Sequence, residues 1–386
     1  MPQVYNWQIG REMWYPYPSA RPKKQAAGVF NLNKCIGCQT CTIACKTAWT
    51  SSKGQEYMLW NNVETKPWGS YPLGWDLKIL SALGTQKWKK EGGTWVYKGS
   101  TIFEAARGER GLGYIPDPED YANPNIGEDM VSIPLGRDGD RSRYIRGIPH
   151  VTWFFYLPRI CNHCTFPACL AACPRMAIYK RSEDGVVLID QLRCRGYREC
   201  VRACPYKKVF YNPETRISEK CVFCYPAIER GEIPRCFRNC IGKIRTFGYI
   251  NLPEKADPEN PIDFLVHIKK VASPLLPQLG LEPNIYYVPP VHVDRRFIQM
   301  LFGPMGVEAV DNYLEAIRKQ DVEVLGALIL ANSSEKIYTR FKVVGGDQVV
   351  GYDEKGHEVV RVPLKEPVYV RFRYDSGRNL YLTNTP

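Results

Sequence analysis

Residues 35–45 read CIGCQTCTIAC, a run in which four cysteines are separated by gaps of two, two and three residues. This is the spacing of bacterial ferredoxins, in which three close cysteines hold one iron–sulfur cube and the fourth ligates a second cube. Three further cysteine runs lie at residues 161–174, 194–205 and 221–240. The four runs predict a protein whose fold is organised around iron–sulfur clusters.

The other three runs vary the same frame. CNHCTFPACLAACP at residues 161–174 widens one gap to four residues, and the run at 221–240 widens one gap to eleven. In the third run Tyr197 stands where the frame requires a cysteine. Four runs of four positions with this one replacement account for all fifteen cysteines. Because a phenol is a poor substitute for a thiolate on iron, the third run predicts a cluster that lacks one iron, a [3Fe-4S] centre.

The ferredoxin rule, by which the fourth cysteine of each run crosses to a partner run, divides the cysteines into ligand sets. The second and third runs are close in sequence and are paired, so the first and fourth runs pair across a long loop. The expected cofactors are three [4Fe-4S] clusters and one [3Fe-4S] cluster. The predicted sets are Cys35, Cys38, Cys41 and Cys240; Cys45, Cys221, Cys224 and Cys236; Cys161, Cys164, Cys169 and Cys204; and, for the [3Fe-4S] cluster, Cys173, Cys194 and Cys200. A crossed pairing would change these sets but leave the number of clusters intact.

Two other uses of the cysteines compete with clusters. Paired Cys-x2-Cys motifs also hold structural zinc, but zinc ribbons do not need a triple run or a run that ends in Cys-Pro. A disulfide framework would leave one of the fifteen cysteines over, and these thiols are too regularly spaced for it. A zinc-binding scaffold is the remote alternative, and it predicts a colourless protein that contains zinc.

The overall composition is that of a globular chain. The 386 residues are 44% hydrophobic, which supports a sizeable core in two or three domains. The formal charge of +12 falls to about +4 once each cluster with its thiolates contributes roughly −2, so a nucleic-acid-binding function loses its support. No apolar stretch approaches the ~20 residues of a membrane span, and the first 24 residues lack the layout of a signal peptide. Any export is therefore expected to depend on a partner's signal.

The hydrophobic pattern and the cysteine runs predict an α+β fold with two bacterial-ferredoxin-like double-cluster modules. The predicted parts are an N-terminal arm (1–28), module I (29–50 with 213–250), a long insertion (51–150), module II (151–212) and a C-terminal covering domain (251–386). The covering domain is expected to contain a helix over 307–319 and then a small antiparallel sheet within 337–374. The segment around Tyr286 and Tyr287 predicts either an extended covering strap or a plain loop.

Side chains near the cysteine runs bear on how the clusters are tuned. Nine basic residues lie from Arg175 to Lys208 against four acidic ones. They either raise the potentials of the module II clusters above those of module I or form a solvated or partner-facing surface. His163 is more readily a hydrogen-bond donor to a cluster than a ligand, because the cysteine count is complete without it. Trp49, Trp60 and two further tryptophans either relay electrons or pack around a cluster.

The sequence contains no group of residues that is typical of an active site. A Ser-His-Asp order, a phosphate-binding loop and a dinucleotide-binding motif are all missing from it. The chain is therefore predicted to be a non-catalytic subunit that conducts electrons for a catalytic partner.

Several stretches outside and within the cysteine runs carry a family resemblance. They are NKCIGCQTC at 33–41, GQEYM at 54–58, WNNVET at 60–65, CNHC at 161–164, CRGYR at 194–198 and EPNIYY at 282–287. At these stretches the sequence resembles the iron–sulfur beta subunits of the dimethyl sulfoxide reductase superfamily, particularly its nitrate reductase and nitrite oxidoreductase branch. YNWQ at 5–8, YPYP at 15–18, KP at 66–67 and YPLGWD at 71–76 look most like nitrite oxidoreductase beta subunits. Tyr197 is also more similar to the nitrite oxidoreductase, selenate, chlorate and ethylbenzene branch than to membrane-bound nitrate reductases, which usually have tryptophan there.

The resemblance implies partners and a location. It implies a catalytic alpha subunit with a molybdenum bis-pterin cofactor next to the cluster of the first ligand set, and a haem-bearing gamma subunit or cytochrome beyond the [3Fe-4S] cluster. It also implies export of the folded complex by the twin-arginine signal of the alpha subunit, to the periplasm or the anammoxosome lumen. The alternative location is the cytoplasmic face of the membrane. The chain is expected to reach a membrane only through its partners.

The leading functional hypothesis is the electron-transfer subunit of a nitrite oxidoreductase, which oxidises nitrite to nitrate. The alternative keeps the electron-transfer role in a nitrate, selenate or chlorate reductase, or in an ethylbenzene dehydrogenase. A stand-alone polyferredoxin is disfavoured, because the insertion and the long C-terminal region look like docking surface.

Overall fold

The computed structural model describes residues 3–18, 21–106, 110–122, 153–365 and 372–383. It shows small sheets and mostly short helices, in agreement with the predicted α+β class. The strands are β1 (Gln3–Asn6), β2 (Arg11–Trp14), β3 (Gln25–Asn31), β4 (Asn62–Lys66), β5 (Trp88–Glu91), β6 (Thr94–Tyr97), β7 (Phe155–Arg159), β8 (Ile178–Lys180), β9 (Val187–Ile189), β10 (Val209–Asn212), β11 (Ile217–Lys220), β12 (Arg245–Ile250), β13 (Ser273–Pro274), β14 (Ile285–Val288), β15 (Arg340–Val344), β16 (Gln348–Tyr352), β17 (Glu358–Pro363), β18 (Phe372–Asp375) and β19 (Leu380–Thr383). The α-helices are α1 (Thr40–Trp49), α2 (Trp75–Leu83), α3 (Ala168–Ala172), α4 (Glu199–Ala203), α5 (Tyr225–Ile228), α6 (Arg235–Arg238), α7 (Pro261–Asp263), α8 (Arg295–Arg318) and α9 (Val322–Ile329).

A four-stranded sheet in the order β12-β3-β14-β13 positions the first cysteine run. β3 is buried along its whole length, pairs antiparallel with β12 and parallel with β14, and leads into a 3-10 helix, Leu32–Lys34, that ends at Cys35. The region predicted as a C-terminal covering domain thus also supplies two strands of this sheet.

The prediction of a strap or loop around Tyr286 and Tyr287 was wrong. These residues lie in β14, and all four side chains of that strand are buried. A strand that is buried on both faces shows no period-two pattern, and the prolines on either side of this one made it look like a loop.

The second and third cysteine runs share one local unit, a short helix followed by a β-hairpin. α3 is followed by the β8-β9 hairpin, α4 is followed by the β10-β11 hairpin, and the two helices pack against each other. Both helices end at a cysteine before a proline: Cys173 and Cys204 have ψ angles of 111° and 109°. A residue before proline avoids the α conformation, so the Cys-Pro pair both stops the helix and fixes the direction of the thiol.

The described part of the predicted insertion is tied to the cysteine-bearing core through β4, which pairs antiparallel with β7. Arg159 Nε donates a hydrogen bond to Glu64 Oε1 at 2.7 Å. Lys66 Nζ lies 3.5 Å from Glu64 and 2.6 Å from Asp76 of α2, and all four side chains are buried. Burial disfavours the Glu64 carboxylate, but Arg159 and then Lys66 outweigh it and lower its pKa to about 2. We call these four residues the buried ion network. Residues 123–150 of the predicted insertion lie outside the described residues.

The C-terminal region contains a helix followed by a sheet, as predicted, with different bounds. α8 begins well before residue 307 and is kinked at Gly303, which has φ +68° and precedes Pro304. α9 follows, and β15, β16 and β17 form an antiparallel sheet. Among the residues that the structure describes, none of the helices combines the length and the apolar character that a bilayer span needs.

Candidate metal centres

The first predicted ligand set surrounds one cavity. Cys35, Cys38, Cys41 and Cys240 all line it, together with Arg245. The chain turns tightly between the first three thiols, with Gly37 at φ +65° and Gln39 at φ +60°. A Cβ on Gly37 would lie 2.7 Å from the Tyr156 ring, so glycine is required there. α1 begins at Thr40, directly after this turn.

The second set surrounds another cavity, lined by Cys45, Cys221, Cys224 and Cys236. α1 carries Cys45 and α6 carries Cys236, and these helices pack together. The first and fourth runs therefore meet across the long loop, as their pairing requires. Trp49 Nε1 donates a hydrogen bond to Cys224 Sγ at 3.3 Å, and the Phe223 backbone N–H donates to Cys221 Sγ at 3.3 Å.

The third set surrounds a third cavity, lined by Cys161, Cys164, Cys169 and Cys204 together with His163. His163 Nδ1 is 3.0 Å from the backbone nitrogen of Val187, which donates its hydrogen to it. Nδ1 is thus an acceptor, and a neutral His163 carries its proton on Nε2. The ring is fully buried and stacks on Phe223 at 4.7 Å between centroids.

The fourth set, Cys173, Cys194 and Cys200, is also brought together. Burial raises the pKa of Cys200 to about 12, the hydroxyl of Ser218 opposes this, and the thiols of Cys173 and Cys194 add to the rise. The backbone N–H of Ala177 donates to Cys173 Sγ at 3.3 Å, and that of Ser218 donates to Cys194 Sγ at 3.4 Å.

The third run repeats the backbone of the first, which places Tyr197 at the position of Cys38. Gly196 and Arg198 have φ values of +64° and +62°, matching Gly37 and Gln39, and α4 begins directly afterwards as α1 does. The Tyr197 side chain is 61% exposed. The frame of the first run is thus kept, with a tyrosine in place of its second thiol.

The cysteines have the chemistry of cluster ligands. All fifteen are free thiols, and within the described residues no three His, Cys, Asp or Glu side chains are grouped so as to hold a metal ion. The thiols instead stand in groups of four around three cavities. Burial raises the pKa of Cys35 to about 11 and that of Cys45 to about 12, so binding to iron would be what keeps them as thiolates at neutral pH.

Buried polar atoms around the cavities also fit iron–sulfur clusters. Trp60 Nε1, His163 Nε2 and Arg245 Nε are buried and have no hydrogen-bond partner in the part of the chain that the structure describes. Each of these side chains lines one of the three cavities. Unpaired buried donors are costly, and the sulfur atoms of clusters accept hydrogen bonds. We conclude that the donors as well as the thiols suit a cluster in each cavity.

Sequence reasoning missed Arg245, although it lies only five residues after Cys240. Its Nη2 donates to Cys41 Sγ at 3.0 Å, and its Nη1 donates to Asn61 Oδ1 at 2.8 Å. Burial disfavours the charged form, but the thiols of Cys41 and then Cys236 outweigh it and raise the pKa of Arg245 above its ordinary value. The available signal was an arginine in an apolar stretch that follows the last cysteine.

Comparisons with known proteins find a 4Fe-4S domain and beta subunits of oxidoreductases. A family model described as a 4Fe-4S dicluster domain matches residues 151–250. The selenate reductase subunit beta of Thauera selenatis is 46% identical over 279 residues, which cover 70% of this chain and 79% of that protein. The dimethylsulfide dehydrogenase subunit beta of Rhodovulum sulfidophilum is 41% identical over 334 residues, or 80% and 96% of the two chains. The respiratory nitrate reductase subunit beta of Haloferax mediterranei is 43% identical over 336 residues, or 78% and 87%.

Proposed function

The chain belongs to the iron–sulfur beta subunits of the dimethyl sulfoxide reductase family, and on that premise we propose that it conducts electrons between a molybdenum bis-pterin catalytic subunit and a haem-bearing subunit of a nitrite oxidoreductase. It is an iron–sulfur electron-transfer subunit of an oxidoreductase complex, and its partner is a catalytic subunit. We further propose the number of clusters, their ligands, the haem-bearing partner, the substrate and the location of the complex.

We assign three [4Fe-4S] clusters and one [3Fe-4S] cluster to the predicted ligand sets. The observation that carries this assignment is that each of three cavities is lined by one complete predicted set of four cysteines. The remaining three thiols are neighbours, and Tyr197 occupies the place of a fourth. When bound, the clusters supply one-electron transfer. The chain's own residues hold the thiolates, donate hydrogen bonds to sulfur and exclude water.

We propose that the cavities follow one another in a single order. Arg245 lines the first cavity, and its charge also acts on Cys236 of the second. The pKa of Cys221 in the second set is raised first by burial and then by the thiol of Cys161, which belongs to the third set. Burial and the thiol of Cys204 raise the pKa of Cys169 in the third set, and Cys200 of the fourth adds to the rise. This supports a continuous path from the first set to the fourth.

Both ends of the path carry exposed apolar side chains that support two partners. Ile36 and Ile241, next to cysteines of the first set, are 62% and 65% exposed. Leu192, near Cys194 of the fourth set, is 87% exposed, and Tyr197 and Met176 are also exposed. We assign the catalytic subunit to the first end and the haem-bearing subunit or cytochrome to the fourth. For nitrite oxidation, electrons would enter at the first end.

The substrate is proposed from the N-terminal half of the chain. YNWQ at 5–8, YPYP at 15–18 and YPLGWD at 71–76 support nitrite as the substrate of the complex. The second candidate is a reductase of the selenate or nitrate type, because the relatives with 46% and 43% identity carry those names. We also propose that the complex works outside the cytoplasm and is exported with its alpha subunit, and the cytoplasmic face of the membrane is the alternative.

Metal analysis and low-temperature electron paramagnetic resonance of the anaerobically purified complex test the cluster assignment. We expect about fifteen iron atoms per chain, the signal of an oxidised [3Fe-4S] centre, and [4Fe-4S] signals on stepwise reduction. Zinc in place of iron would overturn the electron-transfer function, whereas iron without a [3Fe-4S] signal would overturn only the assignment of the fourth set. Assays of nitrite oxidation against nitrate and selenate reduction by the same preparation decide the substrate.

A further inference from the structure

Arg245 is a buried cation for which the described residues offer no acidic partner. It lies in β12 with 1% of its surface exposed, and in the part of the chain that the structure describes no carboxylate forms an ion pair with it. Its polar contacts are the Cys41 thiol at 3.0 Å and the Asn61 amide oxygen at 2.8 Å. The guanidinium also lies over the Phe30 ring, 4.4 Å from its centroid.

A charge in this position needs a counter-charge. Burying an unpaired charged group costs several kcal/mol, and an arginine cannot lower that cost by deprotonation. The neutral amide of Asn61 and the ring of Phe30 supply only partial negative charge. The groups that can offset the guanidinium are therefore the cysteine sulfurs, as thiolates bound to a cluster. Cys41 accepts a hydrogen bond from it, and Cys236, Cys240 and Cys35 also act on it.

We propose that Arg245 is the positive charge that raises the reduction potential of the cluster held by the first ligand set. The inference rests on the proposed function, because it requires a cluster in the first cavity. Reduction adds one electron and one negative charge to that site, and a fixed cation beside a thiolate ligand stabilises the more negative state. Arg245 acts through Cys41 and is thus a positioning and electrostatic residue.

The direct hydrogen bond makes the effect selective. Arg245 touches a thiol of the first set, whereas it reaches the second set only through the weaker influence of its charge on Cys236. Because the guanidinium stays protonated at all working pH values, no proton accompanies the electron at this residue. The [4Fe-4S] couple of the first set should therefore depend most on Arg245, and the couple of the second set should shift in the same direction by less.

Redox titration of the anaerobically purified complex, followed by electron paramagnetic resonance, tests the proposal. Arg245→Met removes the charge and keeps most of the length of the side chain. We expect one [4Fe-4S] couple to lose about tenfold in its ratio of reduced to oxidised form at a fixed potential, which is a fall of about 59 mV for one electron. Arg245→Lys keeps the charge and should retain most of the potential.

Two further variants separate charge from packing. Asn61→Asp places a carboxylate beside an intact Arg245, so the same couple should fall even if Arg245→Met fails to assemble. Arg361→Gln removes an exposed arginine of β17, where it pairs with Glu358, and should leave every couple unchanged.

The outcomes distinguish this inference from the proposed function. Arg245→Met or Asn61→Asp protein with full iron content and unchanged couples would overturn the inference. A fall in Arg245→Lys as large as that in Arg245→Met would also overturn it, because charge would then not be the cause. A wild-type complex without reducible [4Fe-4S] signals would instead overturn the proposed function.

Discussion

The indole N–H of Trp49 donates a hydrogen bond to the Sγ of Cys224 at 3.3 Å. Trp49 stacks on Trp60 with 6.5 Å between ring centroids, and both rings line the second cavity. The sequence predicted either electron relay or packing for these tryptophans. The contact adds a third function, the tuning of the cluster, because a hydrogen bond to a ligand sulfur stabilises the reduced cluster.

Trp49→Phe should lower the potential of the second cluster without loss of iron. The variant keeps the ring stack and removes one hydrogen bond, whose net worth is about 1 kcal/mol, so we expect a roughly fivefold fall in the ratio of reduced to oxidised form at a fixed potential. Redox titration of the complex measures it. Trp88→Phe in β5 makes the same change at a tryptophan away from the cavities, and an equal shift in that control would refute the prediction.

His163→Phe should lower the potential of the third cluster and also weaken the fold. The phenyl ring can still stack on Phe223, but it cannot donate from the position of Nε2 or accept the Val187 backbone N–H. The lost acceptor should cost about 1–3 kcal/mol, measured as a fall in the free energy of unfolding. His163→Gln can donate and accept, so it should recover part of both effects; equal losses in the two variants would argue for the ring stack as the only role.

The thiol groupings could be predicted because ligand spacing is a local property of the chain. Each of the predicted sets of four lines one cavity, which the ferredoxin frame and the closeness of the second and third runs were enough to predict. Their role as ligands stays a prediction. Arg245 could not be predicted in the same way. Arg245 becomes a buried cation only because β12 pairs with β3. The register of that pairing cannot be predicted from a local sequence pattern.

The basic stretch from Arg175 to Lys208 shows the same limit. Of its nine basic residues only Lys207 and Lys208 are buried. A count of basic residues in the sequence therefore does not distinguish buried side chains from more exposed ones. Lys207 Nζ donates to the carbonyl oxygen of Tyr114 at 2.6 Å, and Lys208 lines the third cavity. Burial lowers the pKa of Lys207 to about 7 and that of Lys208 well below its ordinary value, so these two lysines are weak sources of positive charge. The higher potential expected for module II and the alternative of a solvated or partner-facing surface both stay predictions.

Glu64→Gln should destabilise the fold at neutral pH. It leaves Arg159 and Lys66 buried with one fewer negative partner, and breaking a buried pair costs about 3–5 kcal/mol. Because the pKa of Glu64 falls to about 2 in the folded chain from about 4.3 when unfolded, its contribution is present above pH ~4.3 and is lost as the pH falls towards 2. The difference between wild type and variant should therefore shrink over that window.

The free energy of unfolding of both proteins, measured from pH 7 downwards, tests this. Glu104→Gln is the matched control: its pair with Arg11 is partly exposed, so the loss should be below about 1 kcal/mol. A Glu64→Gln protein no less stable than this control would show that the buried ion network does not hold the insertion.

Tyr197→Cys should convert the fourth cluster from [3Fe-4S] to [4Fe-4S]. The backbone at Gly196 and Arg198 already has the conformation of the first run, and the exposed side chain can be replaced without disturbing the core. We expect about one more iron atom per chain and loss of the oxidised [3Fe-4S] signal. Tyr197→Phe lacks a thiol and should change neither. If Tyr197→Cys keeps the [3Fe-4S] signal at full iron content, Tyr197 does not occupy the position of the missing ligand. The missing iron must then have another cause in the fourth set.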